Sequence, residues 1–237
     1  MITKLINVLK NHWQLLILIA IIFTFWRTAP LQPLRVLIVF LHEFSHAAAT
    51  ILTGGEVVSF TITPDEGGQV ISRGGSWFLG LTAGYLGSLL IGVLFLLITI
   101  RSTWDRVVLA LFGATLLATA ALYIRDLYAI TFTIIAGVAM LATARFLPDE
   151  VSDLILRTVG LSSMIYVPFD IFSDTIARSS LLSDARMLCE EYGGTTIVWG
   201  ILCLLISLLV IAASLRKGLG ANRNIKFKKV TSKPTLL

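Results

Sequence analysis

Seven apolar runs of membrane-spanning length constrain the fold of this 237-residue chain more than any other feature. A helix needs about 20 mainly apolar residues to cross a bilayer. The runs lie at roughly 13–27, 32–53, 77–99, 106–124, 127–146, 154–172 and 195–215. Because backbone polar groups must be satisfied inside lipid, such runs form helices. The predicted fold class is therefore an all-α membrane protein, a polytopic bundle of 6–7 transmembrane helices.

The overall composition agrees with this class. Hydrophobic residues make up 56% of the chain and charged residues 14%, whereas soluble domains carry about 25% charged residues. We expect a multi-pass integral membrane protein with the lipid bilayer as its first partner. The net charge of +5 is concentrated after residue 215, as in a cytoplasmic flank beside lipid, and it does not indicate nucleic-acid binding. We predict one polytopic domain over 1–215, with its core at about 32–200, and a basic, disordered tail over 216–237.

The direction of the chain through the membrane stays open at this point. Lys4 and Lys10 favour a cytoplasmic N-terminus, and the basic tail favours a cytoplasmic C-terminus. Both hold only if the number of spans is even. With seven runs, either one run is re-entrant or interfacial, or one end of the chain departs from the positive-inside tendency.

A short β-hairpin is predicted between the second and third runs. Two β-prone stretches, 56–63 and 69–72, flank a turn that contains Pro64 and two glycines. We expect this hairpin at the membrane surface. A plain connection is one interpretation. The other is that its exposed edge binds an extended peptide by strand addition.

The second run contains the pattern H-E-x-x-H at His42, Glu43 and His46. Residues four apart lie on one face of a helix. Two imidazoles at this spacing can bind one Zn²⁺, and the Glu between them can act as a general base on water. Ionisable residues inside a span are costly, so they indicate a functional site.

Catalytic zinc commonly takes three protein ligands, so a carboxylate is expected beside the two histidines. Asp170 is the preferred third ligand, since it lies near the end of the Pro-interrupted run at 154–172. A buried carboxylate there needs a partner, and a metal ion is one. Asp174 and Asp184 remain the alternatives.

A stretch of small residues in the third run forms a second pattern. Gly80 and Gly84 have the spacing G-x-x-x-G, which lets membrane helices approach closely. Tyr85, Gly87 and Ser88 follow. We interpret Gly84, Tyr85, Gly87 and Ser88 as packing residues beside the metal helix, with substrate contact as the other possibility for Tyr85 and Ser88.

These segments resemble the site-2 protease-type intramembrane zinc metalloproteases, in particular their M50B-like branch. The matching segments are Leu41–Ala47, Thr53–Gly55 with the hairpin, Ala83–Ser88 and Ser183–Ala185. The resemblance implies a bacterial-type inner or plasma membrane location, zinc bound by His42, His46 and Asp170, and Glu43 as general base. By register, Asp170 takes the place of the aspartate in the family's N-x-x-P-x-x-P-L-D-G stretch. Ser162 then stands where the family has Asn, and Ile171 where it has Gly.

Three functions compete. The leading hypothesis is a zinc metalloendopeptidase that cuts transmembrane or membrane-proximal segments of membrane proteins or peptides. The second is a non-catalytic, metal-stabilised membrane scaffold or regulator of the same fold, which would not need Glu43. The third is a transporter or channel, which predicts internal repeats and intramembrane charges on several helices, and the sequence shows no clear repeat.

Overall fold

A computed structural model describes residues 2–178, 182–218 and 224–225. In these ranges the chain forms eight α-helices and one antiparallel β-hairpin. The elements are α1 (Ile2–Phe25), α2 (Gln32–Leu52), β1 (Glu56–Ile62), β2 (Gly68–Arg73), α3 (Trp77–Arg101), α4 (Asp105–Tyr123), α5 (Leu127–Phe146), α6 (Asp149–Phe172), α7 (Asp184–Tyr192) and α8 (Thr196–Gly218). A π-helical turn, Ser173–Ala177, continues α6. Most of the predicted tail at 216–237 lies outside the described residues.

Six of the helices in the described ranges are long and apolar enough to cross a membrane: α2, α3, α4, α5, α6 and α8. The apolar part of α1, His12–Phe25, is shorter, and the helix is kinked at His12. The predicted bundle with a hairpin after the second run is confirmed. Six such helices are an even number, which is compatible with basic segments at both ends on one side of the membrane.

Local signals explain where several helices begin. Ser76 caps α3 by accepting a hydrogen bond from the Leu79 amide, and Asp126 caps α5 in the same way from the Ala129 amide at 2.8 Å. Short connections separate α3 from α4, α4 from α5, and α5 from α6. Neighbouring helices in this series are therefore antiparallel.

Close backbone contacts hold α3 against α6. A Cβ atom added to Gly160 would lie 2.7 Å from the Gly92 carbonyl oxygen, and one added to Gly92 would lie 2.8 Å from Ser163 Cβ. Ser163 Oγ donates a hydrogen bond to the Ser88 carbonyl at 2.8 Å. Small residues thus bring the two helices together over their buried middle, as is common between membrane helices.

The end of β1 packs into the bundle, whereas β2 and the turn stay partly exposed, and the predicted position at the membrane surface stays a prediction. Phe60 and Ile62 are fully buried. The turn reaches the start of α2, where Gln32 Nε2 donates to the Pro64 carbonyl at 2.8 Å and Arg35 Nε donates to Glu66 at 2.6 Å. The apolar residues of β1 therefore extend the core, since Phe60 packs on Phe40 of α2.

We predict that Gly160→Ala lowers the thermal unfolding midpoint in detergent. The added methyl group meets backbone atoms of α3 that cannot rotate away, and overpacking of this kind costs about 1–3 kcal/mol. Gly80→Ala is the matched control, because no atom lies within 4 Å of its added Cβ. Equal midpoints for the two variants would contradict the close α3–α6 contact.

Candidate metal centre

The two histidines of α2 face a common point in the structure. Their rings contact edge to face, with centroids 4.8 Å apart. Asp184, the first residue of α7, reaches the same point: its Oδ2 lies 3.1 Å from His42 Nε2 and 3.3 Å from His46 Nε2. All three ligand atoms lie within 4.8 Å of one another. Two imidazoles and one carboxylate are a donor set that suits a catalytic zinc site.

The hydrogen bond on the far side of His46 fixes its tautomer. His46 Nδ1 lies 2.8 Å from the carbonyl oxygen of Gly80. A carbonyl can only accept, so Nδ1 carries the proton in the neutral ring and the lone pair of Nε2 points at Asp184. Two acceptors then face each other across 3.3 Å, and a proton or a metal cation must lie between them. Orientation of a ligand histidine by a carbonyl is typical of metal sites.

Asp184 needs such a partner. Its Oδ2 is buried and accepts no hydrogen bond within the described residues, which is costly for a carboxylate. Burial by itself raises the pKa of the Asp184 carboxyl, but positive charge on the imidazoles of His46 and His42, when they are protonated, outweighs burial and holds that pKa well below its usual range. The carboxylate is therefore held ionised beside the two rings, as a metal ligand must be.

Two glycines make room for the cluster. A Cβ atom on Gly84 would collide with Asp184 Oδ2 and would lie 2.5 Å from His46 Nε2. On the other side of α2, a Cβ on Gly68, the first residue of β2, would lie 2.5 Å from Glu43 Oε1. The backbones of α3 and β2 therefore approach the H-E-x-x-H face from both sides.

Glu43 is buried, with 7% of its surface exposed, and lines the same cavity as the three ligand candidates. The cavity has a volume of about 350 Å³. It is lined by α2, by β2, by the first turns of α3, by the end of α6 and by the segment that leads into α7. One chamber thus contains the Glu43 carboxylate, three candidate metal-ligand atoms and space for a small part of a substrate.

The comparison with protein-family models matches this chain over residues 15–214 to one family, described as Peptidase M50B-like. The chain belongs to the Peptidase M50B-like family. The resemblance drawn from the sequence is thereby confirmed. No curated protein and no solved structure matches the chain.

In the M50B-like chain, Asp184 and not the preferred candidate Asp170 forms a cluster with the two histidines. Asp170 lines the cavity but is not in the three-residue cluster, and its Oδ1 lies 3.9 Å from Arg178. Asp184, one of the two alternatives, takes the place beside the histidines. Since the family register was drawn through Asp170, the departures at Ser162 and Ile171 do not bear on the cluster. Ser162 is fully buried and does not line the cavity.

Asp174, the other alternative, belongs to a network behind the cluster. Its Oδ2 accepts a hydrogen bond from the Tyr85 hydroxyl at 2.6 Å, and its Oδ1 pairs with Arg178 at 2.9 Å. The Tyr85 ring packs edge to face on His42, with centroids 5.4 Å apart. Tyr85 therefore supports the orientation of His42 and does not itself line the cavity.

The remaining residues of the glycine stretch also pack. A Cβ on Gly87 would lie 2.8 Å from Ser45 Cβ, and Ser88 Oγ donates to the Gly84 carbonyl at 2.6 Å. Neither Gly87 nor Ser88 lines the cavity. The geometry therefore favours packing over direct substrate contact for the whole stretch.

The sequence offered one signal for Asp184 that local pattern reasoning did not use. Ser183 caps α7 by accepting a hydrogen bond from the Arg186 amide, which places Asp184 at a helix N-terminus. An ionised carboxylate is favoured there by the helix dipole. The segment Ser183–Ala185 matched the family, but it lies outside every apolar run.

We predict that Asp184→Ala loses bound zinc while Asp170→Ala keeps it. Only Asp184 lies among the three ligand atoms, and removing one of three protein ligands leaves an incomplete site. Zinc per purified chain, measured by mass spectrometry of the metal, separates the two variants. Retention by Asp184→Ala together with loss by Asp170→Ala would return the ligand role to Asp170.

A second prediction concerns Gly84, which carries no ligand atom. Gly84→Ala should lower zinc occupancy because its methyl group must displace Asp184 or the His46 ring. Gly80→Ala is the control, since its methyl group meets open space in the same helix. Metal content is measured together with folding, and size-exclusion chromatography reports the folding. Full occupancy in a folded Gly84→Ala variant would show that α3 does not press on the cluster.

Proposed function

We propose that this protein is a membrane-embedded zinc endopeptidase of a bacterial-type plasma membrane. Its substrates would be transmembrane or membrane-proximal segments of other proteins or peptides. The single observation that carries the proposal is the buried, unpartnered Asp184 oxygen between two imidazole nitrogens. Family membership and the cavity that Glu43 shares with this cluster give further support.

Zinc suits the proposed site better than the hard cations. His42, His46 and Asp184 would hold it through two nitrogens and one oxygen, whereas Mg²⁺ and Ca²⁺ prefer oxygen ligands alone. Three ligands leave a coordination position for water or substrate. When bound, zinc would supply Lewis-acid activation of water and of the scissile carbonyl.

Glu43 is the proposed general base. It follows His42 directly on α2, so its carboxylate lies next to the cluster without belonging to it. The carboxylate would take a proton from the attacking water and deliver it to the amine of the leaving peptide. Both transfers would occur in a chamber partly enclosed by β2 and α3, which limits exchange of the proton with bulk water.

Substrate would be held in extended form along β2. Within the described residues the sheet has two strands, so β2 pairs with β1 along one edge only. Gly68, Gln69, Val70 and Ser72 of this strand line the cavity. A peptide that adds to the free edge would pass Glu43, because Gly68 contacts that side chain.

A scaffold without catalysis is the alternative that the experiment must exclude. The position of Glu43 argues against it. A buried carboxylate that forms no salt bridge within the described residues is costly, and its placement in the chamber beside the cluster suits proton transfer.

We predict that Glu43→Gln keeps zinc and loses cleavage of casein, an unfolded generic substrate, in detergent micelles with added zinc. Loss of a general base lowers the rate by about 10²–10⁴-fold. Glu190→Gln is the matched control, because Glu190 is exposed on α7 and pairs with Arg186. A zinc-loaded wild type that cleaves nothing would favour the scaffold. An active Glu43→Gln variant would reject the proposed base.

A further inference from the structure

The third ligand candidate comes from a helix that does not have the length of a membrane span. Helix α7 has nine residues and is not among the six described helices of spanning length. The two histidines, by contrast, belong to α2, which is one of those six. The position of Asp184 relative to the imidazoles therefore depends on what holds α7 against the bundle.

The first half of α7 is held by a narrow buried face. Ala185 and Leu188 are fully buried, and Ala185 belongs to the apolar cluster that contains Tyr85 and Leu89 of α3. The other residues of α7 are at least partly exposed. Isolated helices shorter than about 12–15 residues are marginal, so a second attachment at the far end of α7 matters for its position.

Three aromatic rings, here called the aromatic cluster, provide that attachment. Tyr192, the last residue of α7, packs edge to face on Phe78 of α3, with ring centroids 5.5 Å apart. Trp199 of α8 lies 6.3 Å from the Tyr192 ring and 6.0 Å from the Phe78 ring, again with edge contacts. Edge-to-face pairs at these distances are favourable. The cluster thus joins the end of α7 to two membrane-spanning helices.

Hydrogen bonds in the turn after α7 support the same arrangement. Trp199 Nε1 donates to the Gly193 carbonyl at 2.9 Å, and Cys189 Sγ donates to the Gly194 carbonyl at 3.2 Å. Gly193 and Gly194 have φ values of +80° and +88°, a region that glycine adopts without strain. The two glycines therefore let the chain turn back from α7 into α8, so that the indole ring reaches the end of α7.

The aromatic cluster lies at the end of α3 that holds His46. Phe78 is two residues before Gly80, whose carbonyl accepts a hydrogen bond from His46 Nδ1 at 2.8 Å. Asp184 Oδ2 lies 3.3 Å from Nε2 of the same ring. The cluster therefore joins the segment of α3 on one side of His46 to the helix that carries the carboxylate on the other side.

We infer that Phe78, Tyr192 and Trp199 are positioning residues of the metal centre: by holding α7 against α3, they keep Asp184 beside the two histidines. None of the three rings lines the chamber, so their effect on zinc binding passes through Asp184. This role rests on the zinc site proposed above and does not depend on peptidase activity. Zinc held by all three ligands would in turn stabilise the docked α7, because a ligand stabilises the state that it binds.

Two variants remove a ring of the cluster without changing a ligand, Trp199→Ala and Tyr192→Ala. Trp104→Ala is the matched control, because Trp104 is 64% exposed and follows the opposite end of α3, about 35 Å along that helix from Phe78. Zinc affinity is measured in detergent by competition with a chelator of known affinity. The thermal unfolding midpoint is measured with bound zinc and again with the chelator in excess.

We expect both ring variants to bind zinc about 10–100-fold more weakly than the wild type, as is typical when residues that orient metal ligands are removed. Trp104→Ala should keep the wild-type affinity. The rise in unfolding midpoint that zinc causes should shrink in the ring variants, because that rise depends on affinity. Trp199→Phe keeps a ring beside Phe78 and Tyr192, so it should bind zinc more tightly than Trp199→Ala.

Wild-type zinc affinity in the folded ring variants would overturn the inference. An equal fall of the midpoint with and without zinc would also overturn it, because that pattern is expected of a purely structural contact. If Trp199→Ala does not fold, Tyr192→Ala decides, since its ring is 47% exposed and its loss disturbs the core less. A wild type that binds no zinc would reject the metal site and the positioning role together, whereas one that binds zinc and cleaves nothing would reject the peptidase alone.

Discussion

The approach of α3 to α2 at Gly84 is the contact on which the site depends. Asp184 belongs to α7 and can reach the imidazoles only through the space that a side chain at position 84 would fill. The same stretch of α3 supplies the Gly80 carbonyl that orients His46 and the Tyr85 ring that packs on His42. One helix face of small residues thus holds the histidines from behind and leaves an opening for the carboxylate.

Features set by local pattern could be predicted from the sequence. The lengths of the apolar runs predicted the six long helices, and Pro64 with two glycines predicted the hairpin. The spacing of His42 and His46 predicted two imidazoles on one helix face. The family followed from several short segments together. Asp184 could not be found in this way, because it is 138 residues from His46 in the sequence and outside the apolar runs. Burial within a run favoured Asp170, yet Arg178 offers that carboxylate a countercharge close to the cavity.

The packing of the hairpin could not be predicted for a related reason. Strand propensity indicates that β1 and β2 pair, but it does not indicate what covers them. Phe60 and Ile62 are apolar, as are many residues of a surface hairpin, and only the packing of Phe60 on Phe40 reveals that the end of β1 joins the core. Arg35 pairs with Glu66 at the partly exposed turn, next to this part of the core.

The position of β2 also constrains how a membrane-spanning substrate could be cut. In a transmembrane helix each backbone group is already hydrogen-bonded within the helix, so its peptide bonds are shielded from water and from a general base. A strand edge beside Glu43 offers replacement partners to a segment that has unwound. The cost of breaking a turn of helix in lipid is then offset at the place where hydrolysis would occur. If the proposed function holds, segments with helix-destabilising Gly or Pro near the metal centre should be preferred over uniformly helical ones, because Gly lowers helix propensity and Pro removes a backbone hydrogen bond.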